Sequence, residues 1–294
     1  MNSDTQKSNG IILKGIGGFY YVKTADGVFE SKPKGIFRLR GIKPIAGDMV
    51  SLEKYGEEYV IAEISERRNA FIRPPVANVD NMLLVVSTVD PKPNILVLDK
   101  LLAIACRKAI KPVIALTKTD IAQSVEFARL YKNAGFEVID IKADLENASR
   151  AIETICAGKL TVLSGNSGVG KSTLLNALCK NLLLETGEIS KKLGRGKHTT
   201  RAVELYEYCG GYIADTPGFS DVDFEGAEHF EKEELCAAFP DIEKYAKGCY
   251  FTGCSHTVEK GCEVLNALRD GKIEKSRHES YVAMYRQASE QSKY

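Results

Sequence analysis

The chain has 294 residues, 44% of them hydrophobic, and carries 40 Lys and Arg against 39 Asp and Glu. That length and apolar content are enough for two or three domains with real cores. A net charge of +1 excludes a global field that drives the chain onto nucleic acid, so any RNA contact must come from local patches. The N-terminal MNSDTQKSNG is polar, with no apolar signal core, and no apolar run approaches the ~20 residues that span a bilayer, so no membrane association and a cytoplasmic location are expected. Residues 10–66 read as short β segments: IILKG, GFYYVKT, GVFESK, GIFRLR, GDMVSLEKY and EEYVIAEIS. Turns such as ADG (25–27) and YGEE (55–58) separate them, and a five-stranded barrel of the OB type suits the length. The run KPKGIFRLRGIK (32–43) has five basic residues, no acidic one, and Phe37 in the middle. It fits a basic strand whose aromatic grips RNA, or a solvated face with one core phenylalanine.

A proline-marked linker, RPPVANVD (73–80), precedes a change of period. NMLLVVSTV (81–89) is a continuous apolar run, as expected for a buried parallel strand. NILVLDKLLAIACRKA follows, with Leu98, Leu101, Leu102 and Ala105 at helical spacing. Strand PVIALT (112–117), a helix ending at Gly135, strand FEVIDI (136–141), a helix around 145–157 and strand KLTVLS (159–164) continue the alternation. AVELYEY (202–208) and GYIAD (211–215) are joined only by Cys209 and Gly210, too short for a crossover, so they must pair antiparallel. Six strands, five in parallel βα units and one antiparallel edge, describe an α/β P-loop domain. Beyond residue 222 the chain turns acidic, then cysteine-rich, then helical.

GNSGVGKS (165–172) fits the phosphate-loop pattern between a strand and a helix. Backbone N–H groups across Gly165, Asn166, Ser167, Gly168, Val169, Gly170 and on to Thr173 would wrap the phosphates at a helix N-terminus. Lys171 would reach the β- and γ-phosphates, and Ser172 would hold Mg²⁺. The loop does not select a base. TKTD (Thr117, Lys118, Thr119, Asp120) can: the Asp120 carboxylate would accept N1–H and N2–H₂ of guanine, with Lys118 over the base plane. Alone, this tetrapeptide is better read as a βα loop whose Asp caps a helix. Its place at the C-terminal end of a parallel strand shifts the balance, because ligands sit at those ends. DTPG (215–218) also ends a strand; Asp215 would hold Mg²⁺ through water, and the N–H of Gly218 would meet the γ-phosphate. Between them lies the basic, glycine-rich KKLGRGKHTTR (191–201), where Thr200, ahead of Thr199, would complete the Mg²⁺ shell.

Of the eight cysteines, Cys106, Cys156, Cys179, Cys209 and Cys236 are scattered singly through core-like segments, as in a reduced chain. Cys249-x₄-Cys254-x-His256-x₅-Cys262 supplies three thiolates and an imidazole, a complete tetrahedral set for one structural Zn²⁺. His229 and His278 have no such company and read as surface residues.

The order of these motifs, with the base-reading segment ahead of the phosphate loop, resembles a circularly permuted GTPase. GFYYV, RPPVANVDN, GNSGVGKSTLLNAL, GRGKHTTR, DTPGF and the late Cys/His cluster together resemble the RsgA family of small-subunit-dependent GTPases. The resemblance runs from about residue 10 to the C-terminal helices. It implies an OB-fold (1–70), a permuted GTPase domain (71–221) and a small α-helical zinc domain (222–294). The cofactors it implies are GTP or GDP with Mg²⁺ on Ser172, Thr200 and Asp215, and Zn²⁺ on Cys249, Cys254, His256 and Cys262. The activity it implies is GTP hydrolysis in late maturation of the small ribosomal subunit. A monomer would bind the subunit's rRNA in the GTP state, be stimulated by the subunit, and be released after hydrolysis. Two departures stand out: Thr117 where the family usually has Asn, and IKA (141–143) where GTPases often have a Ser–Ala segment. Many GTPases place a water-orienting glutamine after the second-switch glycine; Phe219 stands here and cannot do that. Slow hydrolysis in isolation follows, with Lys171 and Thr200 in the catalytic set and His198 as substitute for the missing glutamine, unless His198 is only an RNA or phosphate contact. Two other readings remain: an RNA-binding scaffold with a structural nucleotide, and a P-loop ATPase or kinase.

Overall fold

A computed structural model describes residues 7–119, 123–141, 145–166, 168–171, 173–175, 178, 203–215 and 228–291. The chain divides into two compact units, residues 1–80 with 153–163 and 176–219, and residues 81–152 with 164–175 and 220–294.

In the first unit, β1 (Lys7–Ile16), β2 (Phe19–Thr24), β3 (Gly27–Pro33), β4 (Met49–Tyr55) and β5 (Glu58–Ile64) form a closed barrel in the order β1-β2-β3-β5-β4. Alternation makes its core: along β2, Tyr20, Val22 and Thr24 are buried while Phe19, Tyr21 and Lys23 are half-buried. Ile12, Val50, Leu52 and Ile61 complete the core with Tyr20, Val22 and Phe37.

The segment GIFRLR is not a strand. Gly35–Leu39 is a short helix, α1, between β3 and β4. A strand would turn Phe37 and Leu39 to one face; the helical turn buries Phe37 and leaves Leu39 85% exposed. Phe37 is therefore a core residue, and the basic-strand reading is corrected: Arg38, Arg40 and Lys43 are exposed around a helix, with no free aromatic among them. RPPVANVD is not a loose linker either. β6 (Ala70–Phe71) pairs with β7 (Val76–Ala77), and Phe71, Val76, Ala77 and Val79 are buried. The Asn78 amide donates to the Gly47 carbonyl at 2.9 Å, and Arg68 binds Asp80 at 2.8 Å, which fastens the segment to the barrel.

This unit also holds β12 (Glu204–Tyr208) and β13 (Gly211–Asp215), antiparallel as their two-residue joint requires, with Cys209 and Gly210 both at positive φ. β13 runs parallel to β11 (Leu160–Ser164). A Cβ on Gly211 would lie 2.3 Å from the Lys159 backbone, so only glycine permits that approach. Lys14 of β1 binds Glu204 at 2.6 Å, and Lys23 of β2 binds Glu207 at 2.8 Å. Cys209, expected in a core-like segment, is exposed in the turn.

In the second unit, β8 (Asn81–Ser87), β9 (Lys111–Thr117) and β10 (Glu137–Asp140) are parallel in the order β10-β9-β8. Every residue of β8 is buried, as its unbroken apolar run predicts. α2 (Ile95–Arg107) begins at Asn94, whose side chain accepts the Val97 N–H, and buries Leu98, Leu101, Leu102 and Ala105. α3 (Gln123–Asn133) and α4 (Leu145–Cys156) follow. The C-terminal part is helical: α5 (Lys232–Leu235), α6 (Pro240–Ala246), α7 (Glu263–Arg269) and α8 (Lys275–Gln291).

α8 reaches the interior of its unit. Its Arg277 is 1% exposed and binds Asp99 of α2 at 2.7 Å and Asp241 of α6 at 2.8 Å. Tyr131 of α3 donates to the same Asp99 carboxylate at 3.1 Å. Among the described residues no helix is long and apolar enough to cross a membrane.

Candidate nucleotide site and metal centre

Gly165 and Asn166 leave the end of β11, and residues 171, 173–175 and 178 are helical, so the loop sits at a strand-to-helix turn. Gly165, Gly168 and Gly170 have positive φ, the conformation that lets successive N–H groups converge on an anion. Lys171 Nζ bonds the carbonyls of Asn166 (2.6 Å) and Gly165, which folds its ammonium back over the loop. Val169 is buried, and Thr173 is exposed on the helix. Ser167 and Ser172 lie outside the described residues.

The TKTD segment ends β9 beside this loop. Thr117 Oγ1 donates to the Val169 carbonyl at 2.8 Å and also lies 3.3 Å from the Val86 carbonyl. Thr117 thus has its one proton committed to the phosphate loop. Lys118 has a φ of 57°, a left-handed conformation that costs a non-glycine residue strain. Its surroundings hold it there: the Lys118 carbonyl accepts from Thr88 Oγ1 at 3.3 Å, and its ammonium bonds the Asp90 carbonyl and lies 3.5 Å from that of Gly168. Thr119 Oγ1 donates to Asp140 at 2.6 Å, and its carbonyl accepts from Ser124 at 3.1 Å. Thr88 and Asp90, in the STVD loop after β8, are parts of the site that sequence reasoning missed. Asp90 acts there through its carbonyl, which no side-chain pattern signals.

Replacing Thr117 with valine keeps the shape and orphans the Val169 carbonyl. About 1 kcal/mol of lost hydrogen bonding corresponds to roughly fivefold weaker GDP binding, read by equilibrium titration. Thr117→Asn retains a donor and is expected to bind at least as well as the natural chain.

Asp215 closes β13 through its backbone. Asp120, Gly218, Phe219, His198, Thr199 and Thr200 lie outside the described residues.

The four predicted metal ligands do come together. One ligand atom from each of Cys249, Cys254, His256 and Cys262 lies within 4.8 Å of the others, and Cys262 and His256 are buried. Burial pushes the Cys254 thiol up to about 12 and lowers the His256 pKa. Burial raises the Cys262 thiol as well, and three soft sulfurs with one imidazole in a closed set suit a tetrahedral metal ion. The donor set therefore fits a structural metal.

The loop that carries His256 is built around Glu259. Burial pushes the Glu259 carboxyl up, but Ser255 and the backbone N–H groups outweigh it and hold it at about 2. The carboxylate accepts N–H bonds from Ser255 (2.8 Å), Thr257 (3.0 Å) and Val258 (3.1 Å). His278 is not a surface residue: it is buried, and its Nε2 lies 2.8 Å from the His256 carbonyl. Its position on a polar helix concealed this, because its partner is a main-chain atom. His229 is exposed, as expected. Cys236 does not stand alone either; its Sγ lies 3.5 Å from His256 Nε2.

The RsgA GTPase family profile matches residues 64–225, and the RsgA N-terminal domain profile matches residues 9–59. The small ribosomal subunit biogenesis GTPase RsgA of Geobacillus thermodenitrificans is 41% identical over 290 residues, covering 96% of this chain and 98% of that protein. The protein of the same name from Streptococcus mutans is 41% identical over 279 residues, covering 93% of this chain and 92% of that protein. Among solved structures, YloQ, a circularly permuted GTPase, superposes with a TM-score of 0.78 at 32% identity, covering 99% of this chain and 98% of that one. YjeQ from Thermotoga maritima superposes with a TM-score of 0.79 at 28% identity, covering 96% of this chain and 99% of that one.

Proposed function

Because the chain belongs to the RsgA GTPase family of circularly permuted GTP hydrolases, we propose that it acts in maturation of the small ribosomal subunit, as the names of its relatives state for them. The observation that carries the nucleotide reading is the 2.8 Å bond from Thr117 to Val169, which joins TKTD to the phosphate loop across 52 residues of sequence. It supports one site in which Asp120 reads guanine while the loop from Gly165 to Thr173 and Lys171 hold the phosphates. Ser172, Asp215 and Thr200 are proposed as the Mg²⁺ positions, and Zn²⁺ as the ion of the Cys₃His set.

In functional terms we read three parts: residues 1–70 as the RNA-binding barrel, 71–221 as the GTPase and 222–294 as the metal-binding domain. The barrel surface around α1 supports the first assignment. A cleft of about 400 Å³ there is lined by Tyr20, Lys34, Arg38, Ile42 and Lys43 among others. Basic side chains around such a cleft supply phosphate contacts, with salt-dependent affinity.

This chain's own groups account for a slow basal reaction. Phosphoryl transfer depends on positioning and charge stabilisation. Lys171 supplies charge at the loop, while Phe219 offers no hydrogen bond to orient water. His198, next to Thr199 and Thr200, is the proposed water-positioning residue in the subunit-bound protein. Binding of rRNA in the GTP state and release as a monomer after hydrolysis complete the proposed cycle.

The test is GTP hydrolysis with and without purified small subunits. Stimulation of at least tenfold that is lost in His198→Ala is the expected result. Asp120→Asn should move preference from guanosine to xanthosine nucleotide. Turnover indifferent to subunits would instead favour an RNA-binding scaffold with a structural nucleotide, and ATP competing equally with GTP would favour a P-loop ATPase.

A further inference from the structure

His256 offers its two ring nitrogens to different sulfurs. Nδ1 lies 3.5 Å from Sγ of both Cys249 and Cys262, so it faces the middle of the cluster. Nε2 points away and lies 3.5 Å from Sγ of Cys236. A metal-bound imidazole needs a partner on its second nitrogen, because that bond fixes the tautomer and the plane of the ring. The usual partner is a carboxylate, carbonyl or water; here it is a thiol sulfur, a weaker acceptor.

Resting on the reading of Cys249, Cys254, His256 and Cys262 as a metal centre, we propose that Cys236 is the positioning residue of that centre: its sulfur accepts the Nε2–H of His256 and keeps Nδ1 aimed at the metal, without being a ligand itself. The rest of the loop holds the backbone of His256, through His278 on its carbonyl and Glu259 on its neighbours, whereas Cys236 acts on the ring.

The position of Cys236 gives this contact a reach beyond the cluster. Cys236 follows α5 at the end of a strap, residues 228–236. The other end of the strap is fastened to α2: Glu228 is 6% exposed and binds Arg107 at 2.7 Å and Lys108 at 3.0 Å. The Arg107 guanidinium also covers the Phe230 ring at 4.2 Å. The strap therefore ties a metal ligand to the helix that leads into the TKTD strand, so the setting of the His256 ring and the seating of the strap on α2 are linked.

The experiment uses the full chain with Co²⁺ as probe. The natural chain should take up one equivalent and show the visible absorption of a tetrahedral site with three thiolates and one nitrogen. Cys236→Val should give the same spectrum and bind Co²⁺ about tenfold more weakly in competition with a chromogenic chelator. Cys236→Ser, which keeps an acceptor, should recover most of that loss. Equal affinity in Cys236→Val would show that the sulfur only packs, and a weakened thiolate-to-cobalt band would make it a ligand; either result overturns the proposal. Failure of the natural chain to bind Co²⁺ would overturn the metal reading and this inference with it. Should Cys236→Val not fold, histidine ¹⁵N shifts of the natural zinc-loaded chain decide: Nε2 protonated and Nδ1 bound supports the proposal, and the opposite tautomer refutes it.

Discussion

Gly165→Ala is expected to lower guanine-nucleotide affinity by about 100-fold, with global stability far less affected. An added Cβ would stand 2.2 Å from the carbonyl oxygen of Val85, a main-chain atom of the buried strand β8 that cannot swing away. The φ of +134° adds a conformational penalty on the order of 1–3 kcal/mol for any residue with a side chain. The loop must therefore lift off β8, and the carbonyls that hold Lys171 move with it. A shift that costs about 2.8 kcal/mol of binding is a factor of 100. Gly168→Ala is the control, because its φ is +80° but no atom lies within 4 Å of its virtual Cβ. Titration with a fluorescent GDP analogue should rank the natural chain above Gly168→Ala, and Gly168→Ala well above Gly165→Ala.

The second large effect is on stability. Arg277→Met should destabilise the unit that contains α8 by about 3–5 kcal/mol at neutral pH, because it leaves two buried carboxylates without their cation. Among the described residues, Arg277 is the one cation bound to both Asp99 and Asp241, so the triad already carries a surplus negative charge. Burial accordingly pushes the Asp99 pKa up more than Arg277 and its hydrogen-bond partners pull it down.

The sign of the pH dependence follows. A carboxyl whose folded pKa exceeds its unfolded value binds its proton more tightly in the folded state, so acid favours folding. In the variant, that upward shift grows for Asp99, and the damage is full above its folded pKa. It should shrink as pH falls from 7 towards about 4, the ordinary carboxyl range. Urea denaturation of both chains at several pH values measures this. A gap that widens on acidification would contradict the argument.

Much of the fold is legible because its signals are local. The seven buried residues of β8 are an unbroken apolar run, the loop after β11 has a fixed pattern of glycines and lysine, and the Cys₃His spacing is compact. The two-residue joint at Cys209 and Gly210 dictates an antiparallel pair on chain geometry alone. What escaped depends on partners distant in sequence or on main-chain atoms. Phe37 reads as a strand residue from its segment alone, and the barrel core that receives it on a helical turn is built from residues distant in sequence. Arg277 reads as a solvated charge because its partners, Asp99 and Asp241, lie 178 and 36 residues away. Cys236 looked like an ordinary core cysteine, since nothing in its spacing announces a neighbour on the far side of a histidine ring. Lys118 is held by the carbonyl of Asp90, and carbonyls leave no trace in a sequence.

The ion pairs between the barrel and β12 have a consequence for solubility. β12 is the last strand in its order, and an outer strand offers unpaired N–H and C=O groups to any passing chain. Barrel strand β1 packs beside it, and Lys14 and Lys23 engage Glu204 and Glu207. The barrel is itself closed and has no such margin. It therefore guards this adhesive border as well as presenting its own basic surface, and a chain stripped of residues 7–66 would expose that border to self-association.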